Sequence, residues 1–256
     1  MTLRGREGFD QFYRNIYGDR WDALRDALEK SVRHTSIEMV KGSPYYLDDA
    51  SVEAVRAANI QPGMFVLDLC AAPGDKSLAL LDMVDGEIDL VANERSRKRR
   101  DRLRRVFENS LTHRSRERVR ITGHDATKWS LYEREAYDAV LLDVPCSAER
   151  HLLQHPAELA KWSAARTKSL AVQAFAMLAS ALDVVRKGSI ILFSTCTISP
   201  SENDEVVEKL LRKRAGLAET EMIPSKYGER TRVGIQISPD RDGGRGPLYF
   251  LRIIKS

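Results

Sequence analysis

Residues 64–77 read MFVLDLCAAPGDKS, and this stretch decides the fold. Met64–Leu69 is an apolar run of strand length, followed by a turn of small residues that opens straight into a helical stretch. Strand, tight turn and helix form the first unit of a parallel α/β sheet. Such a turn lets a ligand approach the backbone, with helix N–H groups beneath it. Outward from it the alternation continues. Strands are predicted at Met64–Leu69, Ile88–Asn93, Val119–Thr122, Tyr137–Leu142 and Ser189–Ser194, with helices near Lys76–Met83, Arg97–Ser110 and Thr167–Arg186. Two further runs, Val233–Ile237 and Leu248–Ile254, flank the polar, Gly-rich Ser238–Pro247 and predict an antiparallel edge hairpin. Upstream, Phe9, Phe12, Tyr13, Ile16, Tyr17, Trp21, Leu24 and Leu28 recur with helical spacing, so residues 8–40 predict one or two helices. Gly42-Ser43-Pro44 breaks that pattern, and Asp48-Asp49 open another helix that runs to about Asn59. The expected domain organisation is a small helical extension over 1–60 and one α/β domain over 61–256.

Composition narrows the function classes. The chain has 256 residues, of which 43% are hydrophobic and 30% charged, and no apolar stretch approaches the roughly 20 residues that cross a bilayer. Membrane insertion is not expected, and with no apolar signal core at the N-terminus a cytoplasmic location is. Cys70, Cys146 and Cys196 are too few and too far apart for a disulfide scaffold or a thiolate zinc site. The histidines show no ligand spacing, so no metal is expected. Net charge is +4, but eight of the eleven residues from Arg95 to Arg105 are basic, and Arg114, Arg116, Arg118 and Arg120 extend the run. Such a run reads either as a solvated helix face or as a polyanion contact.

The strand ends carry the chemistry. Glu94 closes the second strand twenty-four residues after Cys70, the spacing at which a carboxylate meets the two hydroxyls of a ribose. The turn lacks G-x-G-x-x-G, which disfavours a dinucleotide. Asp125 follows the third strand, placed to accept from an adenine amino group, and Asp143 ends the fourth. Together these outline an adenosyl pocket at the switch point of the sheet. Strand four then runs into Asp143-Val144-Pro145-Cys146-Ser147 and strand five into Ser194-Thr195-Cys196-Thr197. Neighbouring strand ends bring both thiols to that pocket. Carbon 5 of cytosine is not nucleophilic until a thiolate adds to carbon 6, so a thiol beside a methyl donor suits cytosine-5 methylation. Ionising that thiol calls for a polar or electropositive setting, such as the neighbourhood of Lys76. Asp143 could hold the base through its exocyclic amine and protonated ring nitrogen. The second thiol is a candidate for assisting release. Cys70 reads as a small buried side chain.

Taken together, these residues resemble the Nop/Sun family of S-adenosylmethionine-dependent RNA (cytosine-5) methyltransferases. Cys70–Ser77 is similar to its CAAPGGKT motif, Asn93–Arg99 to its D-x-S-x-x-R segment, Asp143–Ser147 to its DxPCS, and Ser194–Thr197 to its STCS, followed by Glu202-Asn203-Asp204-Glu205. The match spans about residue 60 onward. It implies a Rossmann-like class I methyltransferase fold, with a mostly parallel seven-stranded sheet. It implies Cys196 as nucleophile and Cys146 as the residue promoting release, with Asp143 and Lys76 completing the catalytic set. S-adenosylmethionine contacts are implied at Cys70, Ala71, Ala72, Pro73, Gly74, Asp75, Lys76, Glu94, Arg95, Arg99, Asp125 and Asp143. The implied partner is RNA, ribosomal RNA ahead of transfer RNA, with a ribosomal or assembly protein as a further partner and a monomeric state expected. Asp75 departs from the family's second glycine, and Glu94 stands where Asp is common. Ala148-Glu149-Arg150-His151 and the N-terminal Phe12-Tyr13, Tyr17-Gly18 and Arg20-Trp21 resemble the mitochondrial ribosomal-RNA branch. Tyr45 and Tyr46 are candidates for stacking on an RNA base, while Trp129, Trp162 and Phe175 read as core or surface anchors. Two rivals stand: an S-adenosylmethionine enzyme using general-base chemistry alone, and an RNA-binding or ribosome-assembly factor without activity.

Overall fold

The computed structural model describes residues 3–38 and 44–256. At its start α1 (Gly5–Tyr17) and α2 (Trp21–Glu29) meet through a single 3-10 turn, Gly18–Arg20. The helical reading of 8–40 holds only as far as Glu29. Lys30 turns extended, and β1 (His34–Glu38) pairs antiparallel with β2 (Pro44–Asp48), His34 opposite Asp48. Thr35 and Ser36 explain the change: hydroxyl and β-branched side chains favour extended backbone over helix. The expected break at Gly42-Ser43 lies outside the described residues. The helix opened by Asp48 is α3 (Asp49–Ala58), its cap made by Asp48 accepting from the Ala50 N–H. It ends at Asn59 in the left-handed conformation that asparagine tolerates.

The main sheet follows in alternation: β3 (Phe65–Asp68), α4 (Asp75–Met83), β4 (Asp89–Asn93), α5 (Arg97–Ser110), α6 (His113–Glu117), β5 (Val119–Thr122) and β6 (Tyr137–Asp143). Then come α7 (Glu149–Gln154), α8 (Pro156–Leu159), α9 (Ala164–Val184), β7 (Val185–Thr195), α10 (Asp204–Lys213), β8 (Ala218–Glu221), β9 (Glu229–Arg230), β10 (Ile235–Ile237) and β11 (Leu248–Lys255). The strand order is β5-β4-β3-β6-β7-β11-β10-β9. β5 through β7 run parallel, and β11 returns antiparallel between β7 and β10. The seven expected strands are therefore present, with β9 and β8 as short additions along the hairpin side. β7 starts four residues earlier than its apolar run, because Val185 already pairs with Tyr137 before an irregularity shifts the register.

Strand alternation divides the interior. Val66, Ala139, Leu141 and Leu192 face the side covered by α3, α4 and α5, while Leu67, Val140, Leu142, Ile191 and Phe193 face α9 and α10. Both faces are buried, which is why these strands read as continuous apolar runs. A third cluster joins the N-terminal helices to α7 and α8 through Phe9, Tyr13, Trp21, Leu152 and Trp162. Tyr13 stacks on Trp21 with ring centroids 5.2 Å apart. Aromatic contacts of this kind add about 0.5–1.5 kcal/mol beyond the area they bury. This cluster ends on Ile198, two residues past Cys196. The N-terminal helices thus lean on the carboxyl edge of the sheet. Among the described residues no helix is long and apolar enough to cross a membrane.

Candidate active site

Parallel pairing sets Asp143 beside Ser194, so the chain leaves β6 and β7 at one edge. A further bond from Val144 N to Ser194 O, 3.0 Å, carries the two segments outward together. The result is a pair of thiols, with Cys146 Sγ 3.0 Å from Cys196 Sγ. Cys196 is exposed and Cys146 half-buried, and both are free. The hydrogen bond with Cys196, burial, and the charges of Cys196, Glu202 and Glu149 all push the Cys146 thiol well above its ordinary value. Either sulfur can donate the hydrogen between them, and these causes favour the protonated form of Cys146. Cys196 is the more open of the two sulfurs.

Beside the thiols sits an ion pair. Lys76, in the first turn of α4, is buried, and its Nζ lies 2.9 Å from Asp143 Oδ2. Burial weighs against its charge, but the Asp143 charge and hydrogen bond, with Cys196 and Asp75, outweigh it and raise the pKa, so the ammonium persists. Asp143 Oδ1 accepts from Ser194 Oγ at 2.9 Å, and Ser51 Oγ of α3 accepts from Lys76 at 3.4 Å. Ser51 was missed in the sequence. Its only signal was a place in the helix opened by Asp48. Four of the implied residues, Cys146, Cys196, Asp143 and Lys76, are thus brought together by two strand ends and one helix start.

A cavity of about 390 Å³ adjoins this edge, lined by Leu69, Cys70, Glu94, Arg99, Pro145 and Met177 among others. Glu94 is buried at the end of β4; its Oε1 accepts from Ser96 N at 2.7 Å and its Oε2 lies 3.2 Å from Arg99 Nη1. Arg99 also donates to the Ala72 carbonyl, tying α5 to the small-residue turn. Arg95 pairs with Asp125 at 3.2 Å. Hydrogen bonds from Thr127, then Arg95 and Lys128, hold the Asp125 carboxyl below its ordinary range against a smaller cost of burial. Asn93, unremarked in the sequence, joins the two rims: its Nδ2 donates to the Leu69 and His124 carbonyls, and its Oδ1 accepts from His124 N.

An adenosyl group fits this donor set. Each Glu94 oxygen has a second acceptor site left for a hydroxyl, and Leu69, Pro145 and Met177 offer apolar walls. Gly74 lets the turn sit against α5: its φ is +128°, and a Cβ there would meet Leu103 Cδ1 and Val106 Cγ1 at 3.2 Å. Ala71 and Ala72 are buried in the same turn. Asp68 shapes it from below, accepting from Ser77 Oγ at 2.7 Å and Cys70 N at 3.3 Å; burial pushes its carboxyl up to about 6. The Cys70 thiol packs 3.9 Å from Met177 Sδ, and burial raises its pKa, which keeps it protonated. Asp75 turns to the N-terminal hairpin instead, its Oδ1 accepting from Tyr45 Oη at 2.7 Å.

Elsewhere, a larger cavity of about 500 Å³ lies along α9 and α10, lined by Phe12, Lys168, Val172, Glu205 and Lys209. Neither Cys146 nor Cys196 lines it. Arg97, Lys98, Arg102, Arg104 and Arg105 are exposed along α5. Trp129 and Trp162 are buried, as anchors rather than stacking platforms. Among the described residues no cluster of His, Cys, Asp or Glu is arranged to hold a metal.

Comparison with known proteins bears on this geometry. Residues 55–250 match the family model described as 16S rRNA methyltransferase RsmB/F. The chain is 35% identical over 229 residues to the 5-cytosine rRNA methyltransferase NSUN4 of Bos taurus, covering 82% of this chain and 59% of that protein. To the mitochondrial tRNA (cytosine(34)-C(5))-methyltransferase of Danio rerio it is 36% identical over 225 residues, covering 82% and 60%. The chain thus spans about three fifths of the length of these curated relatives. Among solved structures, a methyltransferase homolog protein from Pyrococcus horikoshii has the same fold, with a TM-score of 0.77 at 19% identity, covering 99% of this chain and 96% of that one.

Proposed function

The chain belongs to the 16S rRNA methyltransferase RsmB/F family, and from that premise we propose that it methylates carbon 5 of a cytosine in RNA through a covalent Cys196 adduct. Ribosomal RNA is the favoured substrate. Transfer RNA is the second reading, because the Danio rerio relative named for a transfer RNA is as similar as the one named for ribosomal RNA. In this reading residues 1–60 contact RNA and residues 61–256 carry the chemistry.

The Cys196 thiolate adds to carbon 6 of the base, and the displaced electron pair makes carbon 5 nucleophilic. Asp143 accepts from the exocyclic amine and the protonated ring nitrogen, stabilising the adduct, while Lys76 holds Asp143 in place and keeps the local potential positive. S-adenosylmethionine, held by Glu94, Asp125 and the Cys70–Gly74 turn, supplies the methyl group. Carbon 5 then loses its proton to solvent, and the returning electron pair expels the Cys196 thiolate from carbon 6. The Cys146 thiol, donating to the departing sulfur, favours that expulsion.

What carries this reading is the 3.0 Å approach of the two thiols beside the Lys76–Asp143 pair. The test is methyl transfer from labelled S-adenosylmethionine to ribosomal and transfer RNA, followed by nucleoside mass spectrometry. Wild type is expected to form 5-methylcytosine and Cys196→Ala none. Methylation that survives in Cys196→Ala would return the reaction to general-base chemistry. Cofactor binding with no methyl transfer to either RNA would favour the assembly-factor reading.

A further inference from the structure

Two carboxylates beneath the thiols have no part in that scheme. Glu149, the first residue of α7, is fully buried, and Glu202, just ahead of α10, is 1% exposed. Buried acids are tolerated only when bonded, and these are bonded in a crossed pattern. Glu149 belongs to the Cys146 loop yet grips the residues after Cys196: Oε1 accepts from Thr197 Oγ1 at 2.6 Å and Oε2 from Ile198 N at 3.0 Å. Glu202 belongs to the Cys196 loop yet grips the residue after Cys146: Oε2 accepts from Ser147 N at 2.9 Å and Oε1 from Ser147 Oγ at 2.5 Å. Each cysteine is therefore steered by an acid from the other's loop.

Further bonds hold the brace in place. Tyr13 of α1 donates to Glu149 Oε1. Asn203 Oδ1 accepts from Thr195 Oγ1 at 2.6 Å and its Nδ2 donates to the Thr197 carbonyl at 3.1 Å, which secures both neighbours of Cys196. Two acids this close repel: burial and the Glu149 charge push Glu202 up to about 8. Burial raises Glu149 as well, so both carboxyls are harder to ionise than a free glutamate. A helix start and a turn could be held by cheaper neutral groups. The crossed connection, by contrast, fixes one loop against the other.

We propose that Glu149 and Glu202 are reciprocal positioning residues that set the separation of Cys146 and Cys196, and through it the release of methylated RNA. The release half rests on the covalent reading above; the geometric half does not. The test uses Glu149→Gln and Glu202→Gln in the full chain, with thermal unfolding run alongside. The first readout is closure of a Cys146–Cys196 disulfide by diamide, in which the two thiols lose two protons and two electrons and the azo reagent becomes the hydrazine. Misplacement by about 1 Å costs up to about 100-fold in such proximity-controlled steps, so closure is expected to slow about 10–100-fold. The second readout is the lifetime of the covalent RNA adduct, which is expected to lengthen more than first-turnover methylation slows.

Should either glutamine variant fail to fold, Ser147→Ala and Thr197→Val each remove the side-chain half of the same bonds and are expected to shift both readouts in the same direction, less far. Folded variants with wild-type disulfide closure would overturn the proposal. If closure slows but no RNA adduct forms even in wild type, the brace stands and the covalent reading falls. If wild type forms the adduct and the variants release it at the normal rate, the link to release falls.

Discussion

Ser194 Oγ donates to Asp143 Oδ1 at 2.9 Å, which leaves Oδ2 for the Lys76 ammonium, also at 2.9 Å. One hydroxyl from β7 and one ammonium from α4 thus set the angle of the carboxylate that would face the base. Lys76→Met removes the charge and leaves the geometry of β6 and β7 alone. Loss of one preorganised electrostatic partner costs about 10²–10³-fold in turnover, and that fall is expected in steady-state methylation. Wild-type turnover would show that the ammonium serves folding only.

In the proposed scheme, Cys146→Ala leaves the departing Cys196 sulfur without a thiol beside it. The variant is expected to methylate at most once per molecule and to accumulate as a protein–RNA species that survives denaturing electrophoresis. The double variant Cys146→Ala/Cys196→Ala should show no such band. A freely released, fully active Cys146→Ala enzyme would remove the second thiol from the mechanism.

Gly74→Ala puts a Cβ 3.2 Å from both Leu103 Cδ1 and Val106 Cγ1 at a backbone φ of +128°. Strain and overpacking of this kind cost about 1–3 kcal/mol. Urea denaturation should register that loss, and calorimetry should find weaker binding of S-adenosylmethionine. Unchanged values in both would mean that the turn does not need its glycine.

Asp68 has an inverted pH signature. Its carboxyl stands at about 6 in the folded chain against an ordinary 3.8, because burial disfavours the charge. The folded state then binds the proton more tightly than the unfolded state, so stability is lost as pH rises from about 4 to about 6 and the loss is constant above that. The difference corresponds to about 3 kcal/mol. Asp68→Asn should flatten this slope in urea melts across pH 4–7. A slope that survives the substitution would assign it elsewhere.

The parallel strands were legible because both of their faces are covered, which makes them apolar without interruption. The placement of Glu94 and the two cysteines along one edge was legible because each follows the end of a parallel strand. The brace was not. An acid in the first turn of a helix, like Glu149, normally marks an exposed terminus, and its partners Tyr13 and Thr197 lie 136 and 48 residues away. The β1–β2 hairpin was hidden for another reason, since the aromatic spacing before it was helical and His34-Thr35-Ser36 offers no apolar run. Asp75, a departure from the family motif, acquires its meaning only from Tyr45, thirty residues upstream. Tyr45→Phe should lower the unfolding temperature by an amount matching about 1 kcal/mol without changing turnover.

The Tyr17 hydroxyl donates to the Ile198 carbonyl at 2.5 Å, next to the Tyr13–Glu149 contact. A shortened version beginning at residue 55, where the family match begins, would keep every signature motif and lose both phenols. It would also lose Ser51 beside Lys76 and the ring stack of Tyr13 on Trp21. Anyone trimming the gene to its recognisable segment would obtain the reactive sulfurs without the wall that holds them still.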